Sequence, residues 1–280
     1  MTEARIHTTR IGAIEATILD DGPLTVPATF MFADADGCRR SAVLAEEGLD
    51  PEALLAGLSG MVVETEAHER VLLDGGSGGR WHPGLGQLPE ALARIDCPAH
   101  AIDVVVVSHA HPDHLGGLLD ERGRVRYPNA RHVVGTDEWA HWTSDEFLDA
   151  IEPAWAELAR DVLPKIESRL HLTSGVCEIA LGVTTWPCPG HTPGHIGARI
   201  SSGAETLLWV GDAFGHPLGV RYPEWSVATD MDPARAERSR HQLIGAAVAL
   251  DALVFGNHFP FPAVGRISAG PAGWDWIEAS

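Results

Sequence analysis

Hydrophobic and polar positions along the chain predict strands and helices that alternate over most of its length. Residues 102–107 give the clearest signal, a mostly β-branched run that is typical of a strand buried on both faces. Further strands are predicted at residues 11–19, 61–65, 70–73, 131–134, 183–186, 196–201, 206–210 and 253–255. Helices are predicted at residues 51–58, 88–95, 136–146, 153–168 and 233–250. Residues 20–27 and 75–86 are rich in turn formers and are predicted to be loops.

Interleaved strands and helices, with many strands following one another directly, indicate an α/β fold. This pattern suits two sheets packed face to face with helices on the outside. The chain shows no short-period repeat and no linker poor in apolar residues. Residues 1–280 are therefore predicted to form one domain.

Composition and charge narrow the classes of function. With 45% hydrophobic and 21% charged residues, the chain can bury a substantial core, which excludes a disordered protein. Its formal net charge of -19 repels phosphate backbones, so no nucleic-acid partner is expected. No apolar run approaches the roughly 20 residues that span a bilayer, and the first ten residues lack the apolar stretch of a signal peptide. We therefore expect no membrane partner and a cytoplasmic location.

The four cysteines are Cys38, Cys97, Cys177 and Cys188. None forms a CxxC pair, and their spacing does not match a small secreted domain. They are predicted to be buried packing residues of a protein in a reducing compartment.

Residues 109–114, with the sequence HAHPDH, follow the predicted strand at 102–107 directly. His109, His111, Asp113 and His114 are four potential ligands within these six positions. Pro112 argues against a continuing strand, so a tight loop can turn these side chains toward one point. Neutral imidazoles and carboxylates are good ligands for zinc and related divalent ions. The segment therefore predicts a metal site.

Three later segments repeat the arrangement of a strand, a turn and a potential ligand. Prolines and glycines in residues 187–195 make a rigid loop that offers two histidines, His191 and His195, and the pattern does not choose between them. Asp212 follows the strand at 206–210, and its two carboxylate oxygens can bridge two cations. His258 follows the strand at 253–255. The repetition favours one shared metal site.

The HAHPDH segment resembles the HxHxDH motif of the metallo-β-lactamase superfamily of hydrolases, and the likeness extends from residues 72–76 to His258. The resemblance implies a four-layer αββα sandwich with the site at one edge of the two sheets. It also implies two divalent metal ions, with zinc expected first and iron, manganese or cobalt as alternatives.

By the same resemblance, each potential ligand receives a role. His109, His111 and His191 would hold the first metal, with His191 preferred to His195 because it stands first in the HTPGH run. Asp113, His114 and His258 would hold the second metal, and Asp212 would bridge the two. Asp74 would support the ligands from behind by hydrogen bonding.

The resemblance implies that a hydroxide shared by the two metals attacks the substrate, because metals lower the pKa of bound water from 15.7 to about 7. Asp113 would act as both ligand and proton acceptor, and would return a proton to the leaving alkoxide. Ser108 lies next to His109, but its neighbours are assigned to metal, so no serine nucleophile is expected.

Residues 257–265 and 211–217 resemble the branch that contains quorum-quenching lactonases and methyl parathion hydrolase. The implied function is opening of a lactone, N-acyl-homoserine lactones included, or of a related ester. Gly215 departs from several lactonases, which carry tyrosine there. An apolar substrate wall is predicted from Phe30, Met31, Phe214 and Phe259, with His216 as a polar contact. Trp139, Trp142 and Trp155 are predicted to pack in the core.

Three alternatives stay open: an organophosphorus triester hydrolase, a glyoxalase II-like thioesterase or persulfide dioxygenase, and a non-catalytic metal-binding protein. A glutathione site should offer arginine or lysine near the metals, and the net charge of -19 disfavours it. The partner expected is a small-molecule substrate, and a homodimer is left open.

Overall fold

The computed structural model of the protein describes residues 4–270 and 273–279. Its strands are β1 (Ile6–Ile11), β2 (Ile14–Val26), β3 (Leu54–Glu64), β4 (Arg70–Leu73), β5 (Val104–Val107), β6 (Arg131–Gly135), β7 (Leu170–Thr173), β8 (Glu178–Ala180), β9 (Val183–Pro187), β10 (Ile196–Ser202), β11 (Glu205–Trp209), β12 (Leu253–Phe255), β13 (Val264–Gly270) and β14 (Gly273–Glu278). Its α-helices are α1 (Ala28–Met31), α2 (Gly37–Glu46), α3 (Leu88–Arg94), α4 (Pro112–Leu115), α5 (Thr136–Trp142), α6 (Asp145–Leu148), α7 (Pro153–Ile166), α8 (Leu218–Arg221) and α9 (Pro233–Ala249). Short 3₁₀ turns lie at Ala99–Ala101, Gly116–Leu118 and Glu167–Arg169.

The strands form two seven-stranded mixed sheets, which confirms the predicted sandwich. One sheet has the order β1 to β7, and the other has the order β14-β13-β12-β11-β10-β9-β8. The strand predicted from the β-branched run is β5, and it is buried on both faces. Val104 and Val106 pack in the core shared with the second sheet, whereas Val105 and Val107 pack with the outer helices α3 and α7.

The predictions of a loop at residues 20–27 and of a helix at residues 51–58 are wrong. The expected loop and helix form one long antiparallel pair, in which Val26 lies opposite Leu54 and Gly22 opposite Leu58, with a bulge at residues 20–22. Leu54 is buried while Leu55 is 42% exposed, the alternation of a strand. Pairing between distant segments decides the structure here, against the local helix signal.

Other differences are smaller. The helix α2 was not predicted; Asp36 begins it, and the Asp36 carboxylate accepts a hydrogen bond from the Arg39 N–H. The predicted helix at 136–146 is two helices, because Ser144 caps α6. Strands β1, β7, β8, β13 and β14 were also missed. Cys38 is exposed, contrary to the packing prediction, whereas Cys97 and Cys188 are buried and Cys177 is half-buried; all four are free thiols.

Parallel pairing brings several strand ends to one edge. β4, β5 and β6 run parallel, so the residues after β4 and β5 meet at the same end of the first sheet. β11 and β12 are also parallel and deliver Asp212 and His258 at the end of the second sheet. Within the described ranges, no helix has both the length and the apolar character needed to cross a membrane.

Candidate metal centre

Three histidine rings converge where β5 and the loop after β9 meet. The His109 Nε2 lies 2.8 Å from the His111 Nδ1, and the His191 Nε2 lies 3.0 Å from the same atom. All three side chains are buried. Burial, assisted by neighbouring histidines, lowers the pKa of His109 and His111 well below its ordinary value. Both rings are therefore neutral, the state in which an imidazole nitrogen can bind a metal.

A second group of ligand atoms surrounds Asp212. Its Oδ2 lies 2.9 Å from the His258 Nε2 and 3.3 Å from the His114 Nε2. The Asp113 Oδ2 completes this group at 3.4 Å from the His258 Nε2. The same Asp212 oxygen is 3.6 Å from the His191 Nε2, so it reaches the first group as well. Asp212 therefore occupies the position between the two groups.

Opposite charges balance within this second group. Burial acts to lower the pKa of His258, but the carboxylates of Asp212 and Asp113 raise it to about 10. Burial acts to raise the pKa of both carboxyl groups, but the charges of His114 and His258 hold them below the ordinary value, that of Asp212 well below. Asp113 and Asp212 are therefore carboxylates at neutral pH, the form that binds cations.

The residues fit a pair of divalent ions. Two buried atoms of this second group, the His114 Nε2 and the Asp212 Oδ1, have no hydrogen-bond partner among the described residues. Leaving such atoms without a partner is costly, and binding a cation would satisfy them. Imidazole nitrogens and carboxylate oxygens are the ligand types of zinc and related metals.

Asp74 supports this centre from behind. Its carboxylate accepts hydrogen bonds from the Ser108 N–H (2.7 Å), the Ser108 hydroxyl (2.8 Å) and the Asn257 side-chain amide (3.1 Å). The His114 Nδ1 lies 2.6 Å from the Asp74 Oδ2 and donates to it, which turns the His114 Nε2 toward Asp212. Ser108 is thus engaged with Asp74, in keeping with the expectation that it is not a nucleophile.

The two histidines of the 187–195 loop differ in direction. His191 joins the cluster, whereas His195 lies behind Asp212. The Asp212 N–H donates to the His195 Nε2 at 3.0 Å, and the His195 Nδ1 donates to the Cys188 carbonyl at 3.0 Å. Burial lowers the pKa of His195 to about 3, so the ring is neutral. His195 fixes the backbone of Asp212.

Two buried carboxylates beside the centre were missed by sequence reasoning. Glu138, on α5, accepts hydrogen bonds from the Ala110 N–H (3.0 Å), the Thr192 hydroxyl (2.6 Å) and the Gly194 N–H (3.1 Å). It therefore joins the two loops that carry His111 and His191. Asp230 contacts the outer nitrogen of His191, with 2.9 Å between the His191 Nδ1 and the Asp230 Oδ1. Glu138 belongs to no recognisable local motif, whereas residues 230–233 resemble the lactonase branch, a resemblance that assigned no role to Asp230.

A cavity of about 230 Å³ opens above the centre. Its floor is formed by residues that also belong to the clusters: His111, Asp113, His191, Asp212 and His258. Its walls are mostly apolar: Leu24, Val26, Phe30, Met31, Ala56, Trp81, His82, Trp155, Gly215, Val227 and Thr229. The described residues that line the cavity include no arginine and no lysine.

The residues predicted to contact substrate fall into two groups. Phe30 and Met31 line the cavity. Phe214 and Phe259 are buried in the core instead, and His216 packs against Phe32 with 5.7 Å between ring centroids.

The tryptophans of the predicted helical region also divide. Trp155 packs against the core, as predicted, but it also lines the cavity and lies 4.8 Å from the His111 ring. Trp142 is buried, as predicted.

Comparison with known proteins identifies a family. Residues 53–258 match the model of the metallo-β-lactamase superfamily. A mouse protein named metallo-β-lactamase domain-containing protein 1 is 28% identical over 224 residues, which cover 78% of this chain and 69% of the mouse protein. A probable metallo-hydrolase of Mycobacterium tuberculosis is 30% identical over 128 residues, which cover 40% of this chain and only 37% of that protein.

Solved structures share the whole fold. AidC, a dizinc quorum-quenching lactonase crystallised with a product, superposes with a TM-score of 0.88 at 24% identity, over 99% of this chain and 98% of AidC. AbOPH, a hydrolase of the β-lactamase superfamily, superposes with a TM-score of 0.90 at 20% identity, over 100% of this chain and 99% of AbOPH.

Proposed function

This chain belongs to the metallo-β-lactamase superfamily and is a metal-dependent hydrolase, and from that premise we propose that it opens a lactone, or cleaves a related carboxylic ester, that carries an apolar substituent. One observation supports the proposal: five of the seven potential metal ligands form the floor of a cavity whose walls are mostly apolar. A neutral substrate with an apolar chain fits such walls, and its reacting carbonyl would lie on the floor.

The proposed cofactor is a pair of divalent ions, with zinc expected first. We assign His109, His111 and His191 to one ion and Asp113, His114 and His258 to the other, with Asp212 shared. When bound, such a pair supplies Lewis acidity and lowers the pKa of water from 15.7 to about 7, which provides a nucleophile at neutral pH.

We assign proton transfer to Asp113. Its carboxylate lies on the cavity floor and is ionised at neutral pH, because His114 and His258 keep its pKa below the ordinary value. An ionised carboxylate there can accept a proton from the attacking water and return it to the leaving alkoxide. The seventh ligand, Asp212, contacts both groups and is assigned no proton transfer.

Side chains of the walls would orient the substrate. Phe30, Met31 and Trp155 offer apolar surface to an acyl chain. His82 offers a polar contact: its Nδ1 accepts a hydrogen bond from the Gly84 N–H at 3.1 Å, so its Nε2 carries the proton and can donate to a substrate carbonyl. Thr229 is a second polar group of the wall. His82 and Thr229 would together provide the polar contact that tyrosine makes in several lactonases, which have it at the position of Gly215.

A neutral organophosphorus triester is the second candidate substrate, since it fits the same apolar walls. A glutathione thioester is disfavoured, because the lining residues described above provide no cationic side chain for its carboxylates. N-acyl-homoserine lactones, the substrates of quorum-quenching lactonases, are the first members of the proposed class to test.

The test combines metal analysis with a substrate panel. The panel contains N-hexanoyl-homoserine lactone, an aryl ester, an aryl phosphotriester, S-lactoylglutathione and nitrocefin, assayed with wild type, Asp113→Asn and the exposed control Asp137→Asn. We expect two metals per chain, lactone or ester turnover, and a loss of at least about a hundredfold in Asp113→Asn alone.

Other results would overturn parts of the proposal. An unchanged rate in Asp113→Asn would remove Asp113 from the mechanism, and a preference for S-lactoylglutathione would replace the substrate class. Two bound metals with no turnover of any panel member would indicate a non-catalytic metal-binding protein.

A further inference from the structure

We propose that Arg240 and Asp230 form a positioning pair that couples the ligand His191 to one wall of the substrate cavity, so that metal affinity and substrate affinity depend on the same buried contact. The inference deepens the proposed function and rests on it for its kinetic part only. The part that concerns metal affinity needs no turnover.

Arg240 lies on α9 and is only 1% exposed. Its guanidinium donates to the Asp230 Oδ2 at 3.0 Å, to the Pro223 carbonyl at 2.6 Å and to the Ser226 hydroxyl at 3.4 Å. These three partners all belong to the segment 222–232, which lies between α8 and α9. A buried guanidinium is tolerated only when it is paired and hydrogen-bonded, so this contact fixes the segment firmly.

Asp230 continues the contact toward the metal centre. Its second oxygen, Oδ1, lies 2.9 Å from the His191 Nδ1, and the Asp230 side chain is fully buried. The carboxylate therefore accepts a hydrogen bond from the His191 Nδ1–H, which turns the His191 Nε2 toward His111. A carboxylate partner of this kind orients an imidazole ligand and increases its basicity.

The segment 222–232 also holds both the ligand loop and the cavity wall. The Met231 N–H donates to the His191 carbonyl at 3.1 Å, and the Ala228 N–H donates to the Phe30 carbonyl at 2.8 Å. Val227 and Thr229, on either side of Ala228 in the sequence, line the cavity. A shift of this segment would therefore move the ligand and the wall together.

The buried charges of Arg240 and Asp230 also affect metal binding. Asp230 carries the negative charge that separates Arg240 from His191. Neutralising Asp230 would leave the buried Arg240 charge close to a site that must bind cations, and this repulsion would weaken metal binding. Removing Arg240 would instead release the segment and leave Asp230 with one partner.

The experiment compares Asp230→Asn, Arg240→Met, the double variant and a control, Arg238→Met, which removes an exposed arginine from the same helix. Zn²⁺ affinity is measured by competition with a chromogenic chelator, and Co²⁺ absorption reports the ligand geometry. We expect one Zn²⁺ per chain to bind roughly 10–100-fold more weakly in Asp230→Asn and in Arg240→Met, with an altered Co²⁺ spectrum. The double variant should be no weaker than the weaker single variant, because the two residues act as one unit.

Kinetics on the best substrate of the panel at saturating Zn²⁺ give the second readout. Arg240→Met should raise KM several-fold, because the wall loses its anchor, whereas Asp230→Asn should change kcat more than KM and Arg238→Met should change neither. If Arg240→Met does not fold, Arg240→Lys replaces it. Lysine keeps the positive charge but cannot donate to all three partners in the geometry of the planar guanidinium. We expect weaker effects of the same sign.

Folded Asp230→Asn and arginine variants that bind both Zn²⁺ ions with wild-type affinity would overturn the inference. Additive losses in the double variant would do so as well. If wild type hydrolyses no panel member, the proposed substrate class fails, yet the Zn²⁺ and Co²⁺ measurements still decide the role of the pair.

Discussion

Met31 occupies the space beside Gly215 in the cavity wall: a Cβ built on Gly215 would lie 2.7 Å from the Met31 Sδ and 3.0 Å from the Val227 Cγ2. The position at which several lactonases carry tyrosine is therefore closed by the wall itself. A polar contact to the substrate must come from another part of the cavity, and His82 and Thr229 are two wall residues that can provide it.

Substitution of Gly215→Ala should expose this crowding. Because the new methyl group displaces Met31, we expect a loss of about 1–3 kcal/mol in the free energy of unfolding and a higher KM. In the double variant with Met31→Ala, the losses in unfolding free energy and in substrate affinity should be smaller than the sum of the losses in the two single variants. Urea unfolding and steady-state kinetics on all four proteins measure this coupling, and strictly additive effects would show that the two side chains do not compete.

Glu138→Gln should loosen the two ligand loops. The Glu138 carboxylate accepts from two backbone N–H groups and one hydroxyl, and a glutamine amide cannot accept at both of its ends. At least one buried donor loses its partner, which should cost about 1–3 kcal/mol. We also expect weaker Zn²⁺ binding, measured by chelator competition, while the exposed Glu146→Gln remains at wild type. Wild-type stability and affinity in Glu138→Gln would contradict the assigned role.

Metal removal should lower the stability of the protein. The centre holds imidazole nitrogens 2.8–3.0 Å apart, an arrangement that a cation stabilises. At a free ion concentration a hundred times the Kd, each bound ion contributes about 2.7 kcal/mol. We expect the melting temperature to fall on chelation and to return when Zn²⁺ is added back. A melting temperature that does not depend on chelator would argue against the site.

Local signals in the sequence predicted part of this site well. The HAHPDH run and the repeated strand-turn-ligand segments need no tertiary knowledge, because each candidate ligand lies within a few residues of the end of a predicted strand. The direction of His191 relative to His195 depends on how the 187–195 loop packs against Asp212, and only the resemblance to a family favoured one of the two.

Contacts between distant segments account for what was missed. Residues 54–58 lie in β3 because they pair with β2, and Phe214 and Phe259 turn into the core because the second sheet packs there. Glu138 and Asp230 lie 27 and 39 positions from the ligands they support, His111 and His191, so only the folded chain brings them together.

Asp21 provides a prediction about pH, at a position outside the metal centre. It lies at the bulge of β2, fully buried, and its carboxyl group accepts hydrogen bonds from the Ser77 N–H (2.9 Å) and the Leu88 N–H (2.7 Å). It thereby holds both ends of the loop that carries Trp81 and His82 to the cavity. Burial raises the pKa of Asp21 from 3.8 to about 7, although backbone hydrogen bonds from Ser77 and Leu88 oppose the shift.

Because the folded chain binds this proton more tightly than the unfolded chain, the contribution of Asp21 to stability is greatest below pH 4 and falls as the pH rises toward 7. Asp21→Asn cannot titrate. The difference in unfolding free energy, wild type minus Asp21→Asn, should therefore decrease by on the order of 4 kcal/mol between pH 4 and pH 8. Urea unfolding of both metal-free proteins measures it, and all other titrating groups cancel in the difference. A difference that stays constant or increases with pH would mean that Asp21 is ionised in the folded protein at pH 4, with its backbone hydrogen bonds outweighing burial.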